Sequence, residues 1–186
     1  NQHPLDFTPG EKGVYSNSNY LLLGFIISKI TGDSLARFFE EHFFEPLAMT
    51  QTRLGTQYAE ANSYDDLDVT AGKPVVLGRG AYQGGDGAVV SSLTDLAKWA
   101  QAVLRHDILS EKDWHEALTH DFYGMGWMHS KTPNWFSHAG HVFGYWTYFD
   151  VSFDKQLAQV TLNNMSPSDE ARKTWQTEMA AWRETL

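Results

Sequence analysis

The sequence contains no cysteine among its 186 residues. This absence excludes a disulfide framework, a thiolate nucleophile and a cysteine-based zinc site. Because a chain without cysteine is compatible with oxidising and reducing surroundings alike, the cellular compartment stays open on this criterion.

Basic residues are also scarce. There are 14 Lys and Arg against 23 Asp and Glu, which gives a net charge of −9, and the nearest approach to a basic cluster is Arg172 beside Lys173. Nucleic-acid-binding proteins usually carry a basic patch. The longest apolar run, residues 20–27, is far shorter than the roughly 18 residues that a membrane span needs. The sequence therefore predicts neither a nucleic-acid partner nor a membrane span.

Apolar residues are plentiful: 42% of the chain is hydrophobic and 14% is aromatic. Such a composition supports a packed core and differs from that of disordered chains. The length suits one domain, or one domain with a smaller insert.

Helical signals dominate the first part. Residues 18–31 are apolar almost all round, which predicts a central buried helix ended by Gly32. A second helix is expected from Asp33 or Ser34 as far as Pro46. Two further helices are predicted to begin at the capping-box pattern of Ser92 and Asp95 and at Ser110. Residues 50–90 resemble a loop with weak strands.

The hydrophobic period changes at Tyr123. Strand-like segments are predicted at residues 123–130, 134–140, 145–152 and 156–164, with a tight turn at 153–155 and a closing helix at 168–184. Helices followed by an antiparallel meander and a last helix indicate an α+β fold. We divide the chain into a mainly helical part, residues 1–122, and a sheet with its C-terminal helix, residues 123–186, within one catalytic domain.

The stretch "GVYSNSNYLLLG" holds the first candidate chemistry. A tyrosine hydroxyl such as that of Tyr15 can act as a general base when a nearby cation lowers its pKa from about 10. Asn17 could bind a substrate amide. The alternative is that Ser16 and Asn17 only cap the following helix, as such residues often do.

Three separated blocks resemble the serine penicillin-recognising hydrolases: class C-type β-lactamases, D-alanyl-D-alanine carboxypeptidases and related esterases. The blocks are "PGEKGVYSNSNYLLLGFIISKITGDSLARFFEEHFFEPLAMTQT", "GAYQGGDGAVVSSLTDLAKWAQAVL" with "YGMGW", and "HAGHVFGYWTYFDVSFDKQLAQVTLNN". They occur in the family's order and cover nearly the whole chain. The resemblance implies a partial β-lactamase/transpeptidase-like fold.

Roles follow for the matching residues. Tyr15 matches the family's motif tyrosine, a proton shuttle between nucleophile and leaving group, and Asn17 matches the asparagine that positions the acyl-side amide. His138, Ala139 and Gly140 fall on the third motif, usually Lys-Thr-Gly or His-Thr-Gly. A side chain at position 140 would also block a substrate lying along the strand.

The resemblance further assigns the backbone N–H of His141 as one oxyanion-hole donor. Such donors are typically worth about 3–4 kcal/mol in the transition state. No cofactor is implied by these residues.

Two departures from the family pattern matter. The family nucleophile lies in Ser-x-x-Lys, upstream of the tyrosine, and only 14 residues precede Tyr15 here. The literal match from Ser152 to Lys155 falls in the predicted hairpin, so we interpret it as a decoy. Ala139 also replaces a hydroxyl residue that usually helps to hold a substrate carboxylate. This favours esters or other acyl compounds over a free C-terminal carboxylate.

Simpler alternatives compete for other residues. His138 and His141 could suggest a metal site, but residues three apart in a strand face opposite ways, so no metal is expected. Asp86 in "GGDG" is more typical of a turn than of a catalytic acid. Four aromatic residues are more typical of a core than of a cleft: Trp127, Trp135, Trp146 and Tyr148.

We therefore expect a β-lactamase-related serine hydrolase lacking its N-terminal part and nucleophile, so that this chain alone is inactive. Its substrates would be D-alanyl peptides, β-lactams or esters; the alternatives are an esterase of the same family and a non-catalytic binding or assembly module. The family suggests a bacterial extracytoplasmic location, in the periplasm or cell envelope.

A partner is also expected. In the family, N-terminal strands pair beside the last strand, here residues 156–163, which begin with Gln156 and end with Asn163. Without those strands this edge is expected to pair with the missing segment or with a second copy, because bare apolar edges are pairing templates. Trp175 and Trp182 are expected to be partly uncovered for the same reason.

Overall fold

A computed structural model of the protein describes residues 4–64, 84–119, 123–130 and 132–186. The α-helices are α1 (Asn17–Thr31), α2 (Leu35–Phe39), α3 (Leu93–Leu104), α4 (Glu111–Leu118) and α5 (Asp169–Glu184). The strands are β1 (Arg53–Leu54), β2 (Val89–Val90), β3 (Met128–His129), β4 (Phe136–Val142), β5 (Tyr145–Ser152) and β6 (Leu157–Asn163). This order of helices followed by a meander confirms the α+β prediction.

Serine caps set the starts of four helices, as the sequence patterns predict for three of them. The hydroxyls of Ser34, Ser92, Ser110 and Ser168 each accept a bond from the backbone N–H three residues on. Each such bond satisfies a helix N–H that has no partner within the helix. The predicted left-handed end of α1 is also present at Gly32, with φ of 78°.

The main sheet has four antiparallel strands in the order β3-β4-β5-β6. Phe143 and Gly144 join β4 to β5 with φ of 51° and 80°, the two positive values that a tight primed hairpin turn requires. The β5–β6 turn takes in Phe153 to Gln156, one residue more than predicted, with Gln156 at φ of 53°. These turns fix the register in which Ser137 lies opposite Asp150 and Gly140 opposite Thr147.

One face of this sheet packs against α5. Trp146 is buried, and its ring meets Trp175 edge-on at 4.9 Å between centroids, while Tyr148 meets the same indole at 4.7 Å. Trp182 extends the contact to Trp135 but remains 42% exposed. The aromatic residues of the sheet are therefore core residues, as predicted.

The opposite face packs against α3 and α4. Val103 and Val151 are fully buried there, and Trp114 joins them. The half-buried side chains around this centre come from both helices and sheet: Trp99, Leu104, Ile108, Leu118, Trp127, Phe136, Phe149, Phe153 and Ala158. The sheet thus lies between helical layers, with the larger apolar core on the α3 and α4 side.

A buried ion pair joins α5 to β5. The Arg183 guanidinium donates to the Asp150 carboxylate and lies 5.3 Å from the centroid of the Trp135 ring. Burial raises the pKa of Asp150 to about 6, while Arg183 opposes this shift. A charge buried this deeply is tolerated because its partner is held in contact.

A second polar centre ties α3 to the segment before β1. The buried Asp95 carboxylate accepts from the backbone N–H of Gln51 at 2.7 Å, from Thr52 at 3.0 Å and from Lys98 at 2.9 Å. Burial alone would raise the Asp95 pKa, but these donors outweigh it and lower it. The Asp95 side chain therefore links α3 to Gln51 and Thr52. Of the predicted capping box, only the bond from the backbone N–H of Asp95 to the Ser92 hydroxyl is formed.

The prediction that α1 is a central buried helix is wrong for the described residues. Gly24 is buried against Leu35 and Gly85, and Ile27 is half-buried. Six large apolar residues of α1 are instead between 40% and 79% exposed: Leu21, Leu22, Leu23, Phe25, Ile26 and Ile30. Among the described residues, α1 is contacted by α2, by the cluster of Leu54 and Ala88, by the glycine loop around residue 85 and, at Tyr20, by Tyr123. These contacts leave most of its apolar side chains uncovered.

Other differences are smaller. A π-helical turn, Glu40–Phe44, continues α2 before Pro46, and β3 spans only two of the eight residues predicted for it. The weak strands expected in residues 50–90 are β1 and β2, paired antiparallel. Residues 65–83 and the predicted domain boundary at residue 122 lie outside the described residues. Within the described residues, no helix combines the length and hydropathy needed to cross a bilayer.

We expect Arg183→Met to lower the free energy of unfolding by about 3–5 kcal/mol, because it leaves the Asp150 carboxylate buried without its counter-charge. The matched control is Arg172→Met on the same helix, whose partner Asp169 is 90% exposed; that change should cost about 1 kcal/mol or less. Urea unfolding measures both. Equal losses in the two variants would contradict a structural role for the buried pair.

Candidate functional site

Tyr15 lies just ahead of α1 and is 50% exposed. Ser16 occupies the N-cap position in an extended conformation, yet its side chain makes no capping hydrogen bond. Asn17 is the first residue of α1 and is exposed. The alternative interpretation of Ser16 as a capping side chain is therefore wrong, and the polar groups of residues 15–17 lie at an accessible helix start.

Tyr123 connects this helix start to the sheet. Its ring contacts Tyr15 edge-on at 5.6 Å between centroids and Tyr20 at 6.2 Å. Its hydroxyl lies 2.8 Å from Nε2 of His138. Through Tyr123, the structure brings together the helix start and the third-motif strand, which are far apart in sequence.

The turn after Tyr123 has its own glycine requirement. A Cβ on Gly124 would lie 2.0 Å from the carbonyl oxygen of Ala117 in α4, so only glycine allows this approach. Gly126 follows with φ of 90°. The backbone N–H of Met125 donates to that same Ala117 carbonyl at 2.9 Å. These contacts hold the "YGMGW" segment against the end of α4 and so position Tyr123.

His138 lies on the same face of the sheet as Phe149, its partner across the β4–β5 ladder. The imidazole is half-buried, and burial lowers its pKa from the ordinary value of 6.5. The pKa of Tyr123 is raised, chiefly by burial and further by Tyr20 and Tyr15. Both groups are therefore uncharged near neutral pH.

Gly140 follows His138 on the same face of β4. It lies opposite Thr147, and a Cβ there would come within 2.7 Å of the threonine Oγ1. Strand β3 pairs with β4 only at Phe136 and Ser137. Among the described residues, the outer edge of β4 from His138 onward has no strand partner, and its backbone groups face an open edge.

Ala139 and His141 belong to the other face. They lie opposite Tyr148 and Trp146, which pack against α5. The imidazole Nε2 of His141 lies 2.7 Å from Oγ of Ser166. The two histidines thus occupy opposite faces, as strand alternation predicts, and across the described ranges no group of three or more possible metal ligands occurs.

Ser152, the literal Ser-x-x-Lys serine, ends β5 and is fully buried. A fully buried hydroxyl cannot meet a substrate, which supports its interpretation as a decoy. Asp86 lies in a turn, at residues 85–87, as its glycine neighbours predict.

The sequence interpretation missed Tyr20 and Tyr123 as members of the cluster. Tyr123 opens the "YGMGW" segment, which carries part of the resemblance, and this was the available signal. Tyr20 lies five residues after Tyr15, and no spacing rule singles it out. Its contact with Tyr123 exists only in the folded protein.

The family model described as Beta-lactamase matches residues 1–181. The chain belongs to the beta-lactamase family. Penicillin-binding protein 4* of Bacillus subtilis is 30% identical over 191 residues, covering 88% of this chain and 42% of that protein. A beta-lactamase of Escherichia coli K12 is 28% identical over 131 residues, covering 65% of this chain and 34% of that protein. The chain spans less than half the length of these two relatives.

Solved structures agree on the fold. The penicillin-binding protein of Bacillus halodurans superposes with a TM-score of 0.77 at 20% identity, covering 100% of this chain and 59% of that one. The D-amino acid amidase of Ochrobactrum anthropi, in complex with L-phenylalanine amide, gives 0.75 at 21% identity, covering 99% and 61%. The sheet and helices described above therefore form part of the beta-lactamase-type fold.

We expect His138 to titrate below pH 6.5, because burial disfavours the imidazolium. The unfolded chain takes up this proton at about pH 6.5. The contribution of His138 to the free energy of unfolding is therefore fully present above pH 6.5 and declines as the pH falls below it.

A histidine NMR titration measures this pKa directly, with the His138→Gln spectrum identifying the resonance. A midpoint at or above pH 6.5 would contradict the buried, neutral imidazole.

Proposed function

We propose that this chain is the part of a beta-lactamase-family serine hydrolase that supplies the proton shuttle and one wall of the substrate cleft. The observation that carries the proposal is the convergence of Tyr15, Tyr123 and His138 beside the open edge of β4. A tyrosine hydroxyl and an unpaired strand edge within one cluster suit acyl transfer, in which a proton moves while a carbonyl is held.

In this proposal, Tyr15 takes the proton of the nucleophile and returns it to the leaving group. Asn17 positions the acyl-side amide, and His138 forms the wall of the cleft opposite the helix start. The backbone N–H of His141 supplies one oxyanion donor, while Gly140 leaves room for a substrate along β4. The nucleophile would be the serine of a Ser-x-x-Lys segment, and its lysine would be the cation that activates the tyrosine.

Substrates are proposed to be small acyl compounds: D-alanyl peptides, β-lactams or esters. The names of the relatives, a penicillin-binding protein and a beta-lactamase, support the first two. The resemblance supports the esters, because Ala139 lacks the hydroxyl that the family usually carries at this position; the side chain itself lies on the α5 face of β4, so only its backbone can border the proposed cleft. An esterase of the same family is therefore the second candidate.

A non-catalytic binding or assembly module is the alternative from another class. It would bind acyl compounds in the same cleft without covalent chemistry. Nitrocefin and p-nitrophenyl acetate, assayed for turnover, and a fluorescent penicillin, assayed for adduct formation, separate the two classes.

We expect the 186-residue chain alone to give no turnover and no adduct. A gene product that also carries an upstream Ser-x-x-Lys should give both. In that longer protein, Tyr15→Phe should lower the acylation rate about 10²- to 10⁴-fold, the usual range for loss of a general acid–base group. The matched control is Tyr58→Phe, because Tyr58 is 51% exposed and lies in the 3₁₀ turn Thr56–Tyr58, outside the proposed machinery.

Turnover by the 186-residue chain that is lost in Ser152→Ala would overturn the decoy interpretation. A longer protein with Ser-x-x-Lys that binds fluorescent penicillin only reversibly would favour the binding module.

We further propose a partner at strand β6. Among the described residues, β6 pairs with β5 alone, and Leu162 on it is 39% exposed. Unpaired apolar edges recruit further strands. The occupant would be the absent N-terminal segment or a second copy of the chain, and the location would be bacterial and extracytoplasmic.

We expect the 21.1 kDa chain to associate at micromolar concentration, which light scattering measures directly. Hydrogen exchange across Leu157–Asn163 should slow as the concentration rises, because pairing protects the backbone N–H groups of the edge. A monomer whose β6 exchange is independent of concentration would rule out pairing with a second copy under these conditions. If the longer gene product then exchanges as fast at these residues, the edge proposal fails altogether.

A further inference from the structure

The cluster around Tyr123 is more than a set of neighbouring rings. One side chain contacts both groups to which the proposed function assigns roles: its ring meets Tyr15 and its hydroxyl meets His138. Removing the hydroxyl would affect the second contact and the side-chain hydrogen bond with Tyr20 that helps to raise the Tyr123 pKa, whereas removing the ring would affect all of these contacts. Tyr123 is therefore placed to set the position of two residues at once.

We propose that Tyr123 is a positioning residue that donates its hydroxyl proton to Nε2 of His138 and so holds this histidine as the Nδ1–H tautomer. The proposal concerns the arrangement of the site that the proposed function uses, and its catalytic meaning rests on that function. The tautomer itself does not depend on activity.

The direction of the hydrogen bond follows from the two groups. Phenol and neutral imidazole each carry one donor and one acceptor. A phenol is a more acidic donor than the N–H of a neutral imidazole, and an imidazole nitrogen is a more basic acceptor than a phenol oxygen. A bond from Tyr123 to His138 therefore pairs the better donor with the better acceptor. If Nε2 accepts this bond, the single hydrogen of the neutral imidazole lies on Nδ1, because the bond that one ring nitrogen makes sets the tautomer.

The charge state of the pair supports the same arrangement. Burial lowers the pKa of His138 and raises that of Tyr123. Near neutral pH neither group carries charge. The 2.8 Å contact between the Tyr123 hydroxyl and Nε2 of His138 is therefore a hydrogen bond between two neutral groups, with one hydrogen between them. Among the described residues, Tyr20 forms a hydrogen bond with the Tyr123 side chain and Tyr15 contacts its ring, and neither of these two is a cation.

The backbone that carries Tyr123 is held firmly enough for such a role. The Gly124 and Met125 contacts with the Ala117 carbonyl fix the segment against α4. His138 is fixed by the β4–β5 ladder, opposite Phe149. Two anchored groups at hydrogen-bond distance keep their relative geometry, whereas a hydroxyl on a free loop would not select a tautomer.

The test is ¹⁵N NMR of the histidine rings in the 186-residue chain at neutral pH, with His138 identified from the His138→Gln spectrum. We expect the ring of His138 to carry its hydrogen on Nδ1. In Tyr123→Phe, which keeps the ring contacts, the Nδ1–H form should fall from the major to the minor species. The matched control is Tyr145→Phe, which loses a hydroxyl that donates to the carbonyl of Ala61 and should leave the tautomer unchanged.

A second variant separates the two contacts of Tyr123. Tyr123→Ala should change the His138 tautomer and also shift the ring resonances of Tyr15, while Tyr123→Phe should leave Tyr15 unshifted. An Nε2–H tautomer of His138 in the unmodified protein would overturn the proposal whether or not the Tyr123 variants fold. A tautomer unchanged in Tyr123→Phe would overturn it equally, whereas absence of hydrolytic activity would bear only on the proposed function.

Discussion

The register of the β4–β5 hairpin is the constraint on which the rest of the site depends. Phe143 and Gly144 close this hairpin with two positive φ angles, and a shift of one residue would exchange the two faces of β4. His138 and Gly140 would then lie on the α5 face, and Ala139 would face the proposed cleft. Asp150 lies opposite Ser137 on the α5 face, where it meets Arg183, so the ion pair marks the face of the sheet opposite to His138 and Gly140.

Close backbone approach is the second organising feature, and glycine provides it where α1 meets the rest of the chain. A Cβ on Gly85 would lie 2.6 Å from the carbonyl oxygen of Tyr20, and one on Gly24 would lie 2.8 Å from Leu35. Because neither glycine has a Cβ, the loop around residue 85 packs directly against the turn of α1 that carries Tyr20. The helix is thus positioned by backbone contact on one narrow side, while its large apolar side chains project elsewhere. This explains how α1 can hold Tyr15 at the site although most of its surface is uncovered among the described residues.

Local rules predicted much of this fold because local interactions produce it. Serine caps, the left-handed Gly32 and the alternation of the strands depend on neighbours within a few residues. The burial of α1 could not be predicted, because an apolar sequence shows that a helix would gain from burial but does not show whether other elements cover it. The resemblance supplied Tyr15 and His138, but the sequence gives no spacing rule for their link through Tyr123. That link arises because the α4 end holds one turn beside β4, a tertiary effect invisible to periodicity.

An uncharged cluster beside an open strand edge has a chemical consequence. In a half-buried site, a charged imidazole would add a second proton donor beside the proposed shuttle Tyr15, and it would attract counter-ions to the proposed cleft. Burial keeps His138 neutral, and its Nε2 forms a hydrogen bond with the uncharged Tyr123 hydroxyl. A neutral hydrogen bond costs less to bury than an ion pair, because there is no ionic solvation to lose. In the proposed function, the cluster can therefore shape the cleft while the proton transfers are left to the groups that would contact the substrate.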